Sequence, residues 1–169
     1  MLNCKVLNSP AEGIKFRSAL GCRAYGNYVE NTPEGKAGII CGSNCEKCTI
    51  ENNVVKDAGG ESFGIYLGSH ECSIIGNVGF VTSATKRGHI LVEGTSDTPV
   101  VNAVVADNII ISHYFGIHIK STYRFTLKGN VVTHYDPATI ASGYGIGLML
   151  NNARYGSIVG NTIHDVAEE

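Results

Sequence analysis

Cysteines, histidines, acids and lysines supply the side chains with which this chain could do chemistry. Cys41, Cys45 and Cys48 have the Cys-x3-Cys-x2-Cys spacing that can hold a four-iron, four-sulfur cluster, and His70-x-Cys72 follows as a further source of ligands. A zinc ion would draw on the same thiolates. Either site requires sulfurs to converge, so its prediction depends on the elements that carry the cysteines.

A second set of side chains is suited to acid–base chemistry on a sugar: His118, Lys120, Glu93, Tyr66 and His89. His118 or Tyr66 can remove a proton while Lys120 neutralises a uronate carboxylate, which supports β-elimination or C5 epimerisation. Glu93 paired with Asp97 would instead support glycoside hydrolysis. The plainer explanation for Glu93 and Lys120 is a surface ion pair that contributes little stability.

The composition favours a strand-rich globular domain. The 169 residues include 17 Ile and 15 Val against 8 Leu, and β-branched side chains pack well on pleated surfaces. Only 17% of residues are charged and the net charge is -2, which disfavours disorder and a nucleic-acid partner. No apolar stretch reaches the length of a membrane span and the first residues lack a signal-peptide pattern, so we expect a soluble chain with no membrane partner.

One pattern recurs along the chain, and the glycines that begin its copies are 24–29 residues apart. Its first half is a glycine followed by alternating apolar residues, with copies starting at Gly13, Gly38, Gly64, Gly88, Gly116 and Gly145. Its second half ends in Asn after a residue that tolerates positive φ, with copies ending at Asn27, Asn53, Asn77, Asn108, Asn130 and Asn161. A seventh turn is predicted at Asn3, and no helical spacing of apolar residues occurs.

Short strands at this period predict an all-β fold, a parallel β-helix of about six to seven coils, with residues 1–169 in one domain. Equivalent residues should lie about 4.8 Å apart in successive coils. The Asn residues should therefore form a hydrogen-bonded ladder, and Cys22, Cys48 and Cys72 should stack as buried thiols. Ser69 and its counterparts should donate hydrogen bonds to backbone carbonyls. A leucine-rich repeat is disfavoured because Leu is scarce.

The two halves, Gly-Ile-x-Ile/Leu-x-Ser and Ile-x-Gly-Asn-x-Ile/Val, resemble the repeats of right-handed parallel β-helix proteins of the pectate-lyase superfamily over nearly the whole chain. The resemblance implies a right-handed coil and a polysaccharide bound along the outer face of the first sheet. That superfamily contains polysaccharide lyases, glycoside hydrolases, epimerases, phage tailspikes and non-catalytic members. It therefore implies a carbohydrate-active protein without naming the reaction.

Strand alternation assigns residues to the two faces of the first sheet. The expected inward pairs include Ile39 with Cys41, Ile65 with Leu67, and Ile146 with Leu148. The residues predicted to be catalytic are His118, Lys120, Glu93, Tyr66 and His89. The residues predicted to bind the polysaccharide are Tyr114, Asp97, Arg17 and Lys15. Glu93 and Lys120 are expected one layer apart.

The repeat argues against a metal cluster, because it sends Cys41 and Cys48 into separate strands of the core. A radical-SAM-like iron–sulfur enzyme using Cys41, Cys45 and Cys48 is therefore a remote alternative, since that family also needs helices. No metal site and no cofactor are predicted. Thiols packed in a core need no oxidising compartment.

The remaining expectations concern assembly and location. Neither end of the sequence resembles a cap, so we expect either a fragment of a longer β-helix or a homo-oligomer, such as a trimer, that covers the open ends. A tailspike-like protein would be extracellular or virion-associated. The alternative to a carbohydrate-active protein is a non-catalytic structural or adhesion segment.

Overall fold

The computed structural model describes residues 1–83, 85–113, 115–134 and 146–164. Within these ranges the chain forms short parallel strands and no helix. Accordingly, the described residues include no helix that could span a membrane. The strands are brief because a turn residue interrupts the alternating pattern every few positions, so the chain changes direction repeatedly around one core.

Three sheets form the walls of the solenoid. Sheet 1 contains β2 (Ile14–Phe16), β5 (Ile39–Cys41), β8 (Phe63–Tyr66), β11 (Ile90–Glu93), β15 (Phe115–Lys120) and β19 (Ile146–Asn151). Sheet 2 contains β3 (Arg23–Tyr25), β6 (Thr49–Glu51), β9 (Ser73–Ile75), β13 (Val104–Ala106), β17 (Thr126–Lys128) and β20 (Ser157–Val159). Sheet 3 contains β1 (Lys5–Leu7), β4 (Tyr28–Glu30), β7 (Val54–Lys56), β10 (Val78–Phe80), β14 (Ile109–Ser112), β18 (Val131–His134) and β21 (Thr162–His164). A minor pair is formed by β12 (Val100–Val101) and β16 (Thr122–Tyr123).

Every strand pairs in parallel with the equivalent strand of the next coil, as in β2 with β5 and β5 with β8. The predicted parallel β-helix is confirmed, while its right-handed sense remains a prediction. Sheets 1 and 2 stack six strands each, which corresponds to about five full turns, slightly fewer than the six to seven coils predicted. The segment around the turn predicted at Asn3 adds one strand, β1, to the sheets. The residues before this turn form no named strand, and Leu2 makes an isolated bridge with Tyr25 of the next coil.

The inward register of sheet 1 differs from the prediction in the third and last coils. Ile39 pairs with Phe63, and Cys41 with Ile65, so Phe63 and Ile65 point inward while Leu67 is exposed. In the last coil Leu148, rather than Ile146, pairs with Ile117. The predicted register assumes that the repeat glycines lie at the same position in every coil. Gly64 lies within β8, whereas Gly38 precedes β5, so the predicted register is displaced by two residues in the third coil. A shift of two residues preserves the face but changes the column.

The predicted Asn ladder is confirmed at the corner between sheets 2 and 3. Each residue before a ladder Asn has a φ between 52° and 65°. The side-chain amide of Asn27 donates to Asn53 Oδ1 at 2.9 Å, and that of Asn53 donates to Asn77 Oδ1 at 3.0 Å. The same pairing continues through Asn108, Asn130 and Asn161. These bonds lock successive coils together inside the protein.

Candidate functional site

The outer face of sheet 1 carries a polar column, whereas strand alternation in the sequence predicts Tyr66 in the other outward column, with His118. Tyr66 pairs in register with Glu93, and Glu93 with Lys120, so Tyr66 shares their column rather than that of His118. The Lys120 Nζ lies 2.6 Å from Glu93 Oε1, which confirms that these two residues are one layer apart. His118 is half-buried in the adjacent column, where burial lowers its pKa and the Glu93 carboxylate opposes that shift.

A cavity of about 400 Å³ opens on the same face, next to the first three coils. Lys15, Arg17 and Tyr66, all predicted site residues, line it together with Glu61. The Tyr66 hydroxyl donates a hydrogen bond to Glu61 Oε1, and burial raises the pKa of Glu61, with the nearby Glu93 carboxylate adding to the effect. Lys15 is held by Glu12 at 3.1 Å.

The other predicted site residues lie elsewhere. His89 is 3% exposed, so it does not reach the outer face of sheet 1, along which the resemblance places the polysaccharide. It precedes β11 and packs edge-on against Phe115 at the base of the sheet, and burial lowers its pKa to about 3. Asp97 is exposed in the loop between β11 and β12, where it accepts a hydrogen bond from Ser96 at 3.2 Å. Tyr114 lies outside the described residues.

A cysteine column runs along the corner between sheets 1 and 2, as predicted. The Thr49 N–H donates to the Cys22 carbonyl at 2.8 Å, and the Ser73 N–H donates to the Cys48 carbonyl at 3.0 Å. These backbone bonds stack Cys22, Cys48 and Cys72 in successive coils. Cys48 and Cys72 are buried, whereas Cys22 is only partly buried.

Cys41 joins this column from sheet 1. It is the last residue of β5 and points inward, because Ile39 and Cys41 occupy alternate positions on the core side. A six-residue turn, 42–47, then brings the chain to Cys48, with left-handed backbone at Asn44 and Lys47. The sulfurs of Cys41, Cys48 and Cys72 all lie within 4.8 Å of one another, and all three residues are buried. We call these three residues the cysteine centre.

Interactions among the three sulfurs of the cysteine centre shift their pKa values. The contact with Cys72, together with burial, raises the pKa of Cys41. The contact with Cys41 lowers the pKa of Cys72, and Cys48 adds to that lowering. Desolvation raises the pKa of Cys48 itself to about 11. The thiols of Cys48 and Cys72 donate hydrogen bonds to backbone carbonyls, Cys48 to that of Ala19 at 3.3 Å and Cys72 to that of His70 at 3.5 Å.

The converging set differs from the Cys41, Cys45 and Cys48 motif considered for an iron–sulfur cluster. Cys45 is buried, but its sulfur is not part of the centre, and Cys72 from the next coil takes its place. Cys41 is the last residue of β5, and Cys48 lies at the corner just before β6, so the two do not share a strand. They still meet, because the turn 42–47 returns the chain and both side chains are buried at this corner.

The sequence matches one family model over nearly its whole length. The model described as periplasmic copper-binding protein (NosD) covers residues 2–168. The chain belongs to the NosD family. No curated protein matches the sequence. The family match is consistent with the parallel β-helix, and membership of the pectate-lyase superfamily stays a prediction.

Two features of this NosD-family chain were missed by sequence reasoning. Glu61 does not lie at a position where the repeat indicates a functional residue. It occupies the same column as Glu12, which lies two coils away. The cysteine centre was missed for another reason. The column of Cys22, Cys48 and Cys72 and the inward position of Cys41 were both predicted, but joining them requires the path of the turn 42–47.

Proposed function

We propose that this chain binds monovalent copper through the sulfurs of Cys41, Cys48 and Cys72. The observation that carries the proposal is the convergence of the three sulfurs within 4.8 Å of one another. The NosD family description names copper, and a set of three thiols suits this metal in its reduced form. Copper is in this proposal the cargo that the protein carries.

The spacing of the sulfurs fits a single metal ion. Two sulfurs bound to one metal at about 2.3 Å cannot lie more than about 4.6 Å apart. The three sulfurs already lie within 4.8 Å of one another, so small side-chain rotations suffice. Because the coils on either side hold the backbone in register, the apo protein is largely preorganised for binding.

The chemistry of the donors favours copper over harder or higher-coordinate metals. Thiolates are soft ligands that select monovalent copper, zinc or iron–sulfur clusters. Structural zinc sites almost always have four protein ligands, and among the described residues the centre offers three sulfurs. Three thiolates without a fourth donor in that part of the chain therefore support copper as the occupant.

The surroundings also suit a cation. Ile39, Ile50 and Ile65 belong to the same buried core as the three cysteines, and an ionised thiol is costly there unless a charge compensates it. A bound monovalent cation compensates one such charge, while the core excludes water and oxidants. Copper binding then displaces thiol protons to solvent.

The test is a titration of the reduced protein with monovalent copper under anaerobic conditions, in competition with a chromogenic copper chelator. We expect one equivalent to bind. Cys41→Ser, Cys48→Ser and Cys72→Ser should each weaken binding by about 100-fold or more, since even outer partners of metal ligands cost 10- to 100-fold.

The chain provides a matched control in Cys45, which is buried and lies between two of the ligands in sequence but outside the centre. Cys45→Ser should retain the wild-type affinity. The proposal is wrong if the wild-type protein binds no copper, or if Cys45→Ser loses as much affinity as Cys48→Ser.

The family description also bears on location. We propose that the protein acts in the periplasm, rather than at the extracellular or virion location expected of a tailspike. Fractionation of cells that express the full-length gene would test this. Recovery with a cytoplasmic marker, and not with a periplasmic one, would contradict it.

An acidic saccharide is a second candidate ligand, and the cavity on sheet 1 favours it. Arg17 and Lys15 supply positive charge for a carboxylate, and Tyr66 supplies an aromatic ring with a hydroxyl. Isothermal titration with oligogalacturonate should detect binding that a neutral galactose oligomer does not show. Arg17→Gln should weaken it, whereas Lys128→Gln on sheet 2 should not.

The same experiment separates an enzyme from a binding module. Unsaturated product, followed by its ultraviolet absorbance, would indicate a lyase, and new reducing ends without that absorbance would indicate a hydrolase. Binding without product would favour the non-catalytic alternative. Equal binding of the neutral oligomer would show that the cavity is not an acidic-saccharide site.

A further inference from the structure

We infer that Ser69 is a positioning residue for the cysteine centre, an inference that rests on the copper-binding function proposed above. The Ser69 hydroxyl bonds to backbone groups rather than to the three sulfurs. It acts on the turn 42–47, which separates the ligands Cys41 and Cys48. Its side chain belongs to the next coil, which carries the third ligand, Cys72.

The contacts of Ser69 join the two ligand-bearing coils. Its hydroxyl donates a hydrogen bond to the carbonyl of Gly42 at 2.7 Å. The same oxygen accepts a hydrogen bond from the N–H of Cys45 at 3.1 Å. Gly42 directly follows Cys41, and Cys45 lies three residues before Cys48. One fully buried hydroxyl thus holds the turn at two points between the ligands.

The backbone on the Cys72 side is held in the same way. The His70 N–H donates to the Cys45 carbonyl at 2.9 Å, and the Ser69 N–H donates to the Tyr66 carbonyl at 3.1 Å. Ser69 is therefore fixed within its own coil while its hydroxyl is hydrogen-bonded to the turn of the neighbouring coil. This arrangement sets the distance between Cys41 and Cys48 and the position of both along the solenoid axis relative to Cys72.

Loss of the hydroxyl would release the turn without removing any ligand. Two buried backbone groups would lose their bonds to Ser69, and such groups seek other partners because an unpaired one is costly. The turn would then relax, and the spread of sulfur positions would grow. Partners that orient metal ligands typically change the affinity 10- to 100-fold when they are removed.

The fold contains an internal control for this role. The hydroxyl of Thr32 donates to the carbonyl of Lys36 at 2.7 Å and accepts from the N–H of Gly59 at 3.1 Å. Thr32 is buried, and it links its own loop to the next coil, whereas Ser69 makes both of its hydroxyl bonds to the neighbouring coil. It lies in the loop between sheets 3 and 1, and these two hydrogen bonds involve no cysteine.

The experiment compares Ser69→Ala with Thr32→Val, which each remove one bridging hydroxyl. Affinity for monovalent copper is measured by chelator competition, and stability by urea unfolding of the copper-free protein. We expect both variants to lose stability, but only Ser69→Ala to lose copper affinity, by about 10-fold or more. X-ray absorption should show fewer sulfur neighbours around copper in Ser69→Ala than in the wild type.

A second pair keeps the test decisive if Ser69→Ala does not fold. Ser69→Thr and Ser69→Val have the same shape and differ only in the hydroxyl, so Thr should retain the affinity that Val loses. The positioning role alone is overturned if Ser69→Ala binds copper as tightly as the wild type and Ser69→Val as tightly as Ser69→Thr. It is also overturned if Thr32→Val loses as much copper affinity as Ser69→Ala. A wild-type protein that binds no copper overturns the proposed function, and this inference with it.

Discussion

The sulfur of Cys41 lies within 4.8 Å of the sulfur of Cys72 in the neighbouring coil. The two residues come from different walls of the solenoid, one from the end of β5 and the other from the corner before β9. Their contact makes the interior of a repeat protein locally polar where the repeat alone predicts apolar packing. A soft cation bound in place of thiol protons would link both residues and Cys48.

Copper should stabilise the folded protein, because the unfolded chain cannot keep the three sulfurs together. A ligand at 100 times its dissociation constant adds about 2.7 kcal/mol to the free energy of unfolding. We expect this gain in anaerobic urea titrations of the wild type and of Cys45→Ala. Cys72→Ala should show little gain, and an undiminished gain in that variant would contradict the assigned ligands.

Asn77→Ala should be strongly destabilising because Asn77 lies in the middle of the ladder. Its side chain donates to Asn108 and to the carbonyl of Ile50, and it accepts from the backbone and side chain of Asn53. Truncation leaves several buried groups without partners, at a cost of at least about 3 kcal/mol. Urea unfolding measures the loss. Asn161→Ala, on the last described rung and partly exposed, should cost clearly less.

Glu61→Gln should make stability less dependent on pH. Burial raises the pKa of Glu61 above its usual value, so the folded protein binds this proton more tightly than the unfolded chain. Stability is then undiminished below the ordinary pKa of Glu and falls as pH rises through the raised value. The variant should therefore gain stability over the wild type at neutral pH, and the difference should vanish in acid. Urea unfolding of both proteins across this pH range tests the prediction. A Glu61→Gln variant less stable than the wild type at neutral pH would contradict it.

The Glu93–Lys120 pair should contribute little to stability. Both side chains are about a third or more exposed, and the two atoms lie 2.6 Å apart. Exposed ion pairs usually contribute about 0.2–1 kcal/mol. A double-mutant cycle with Glu93→Gln and Lys120→Met should give a coupling energy in that range, and added salt should reduce it. A coupling energy well above that range would contradict the prediction that the pair contributes little to stability.

Much of the architecture was readable from the order of residues. The spacing of Asn27, Asn53 and Asn77 predicted a ladder that the structure contains, and the column of Cys22, Cys48 and Cys72 was predicted with it. Such columns are readable because one coil separates their members, and parallel pairing keeps that relationship from coil to coil. The same reasoning misplaced Leu67, because a glycine within a strand looks the same in sequence as one before it.

The candidate sites depended on distances across a coil rather than along the stack. These distances bring Cys41 to Cys48 and Cys72 and bring Tyr66 to Glu61. The burial of His89 was likewise not visible in the repeat. The repeat sets the order of residues and the face on which each lies, and the sequence determined both. Backbone angles and packing decide the distance between two walls and which side chains meet in a corner. Both act only after the coils have stacked.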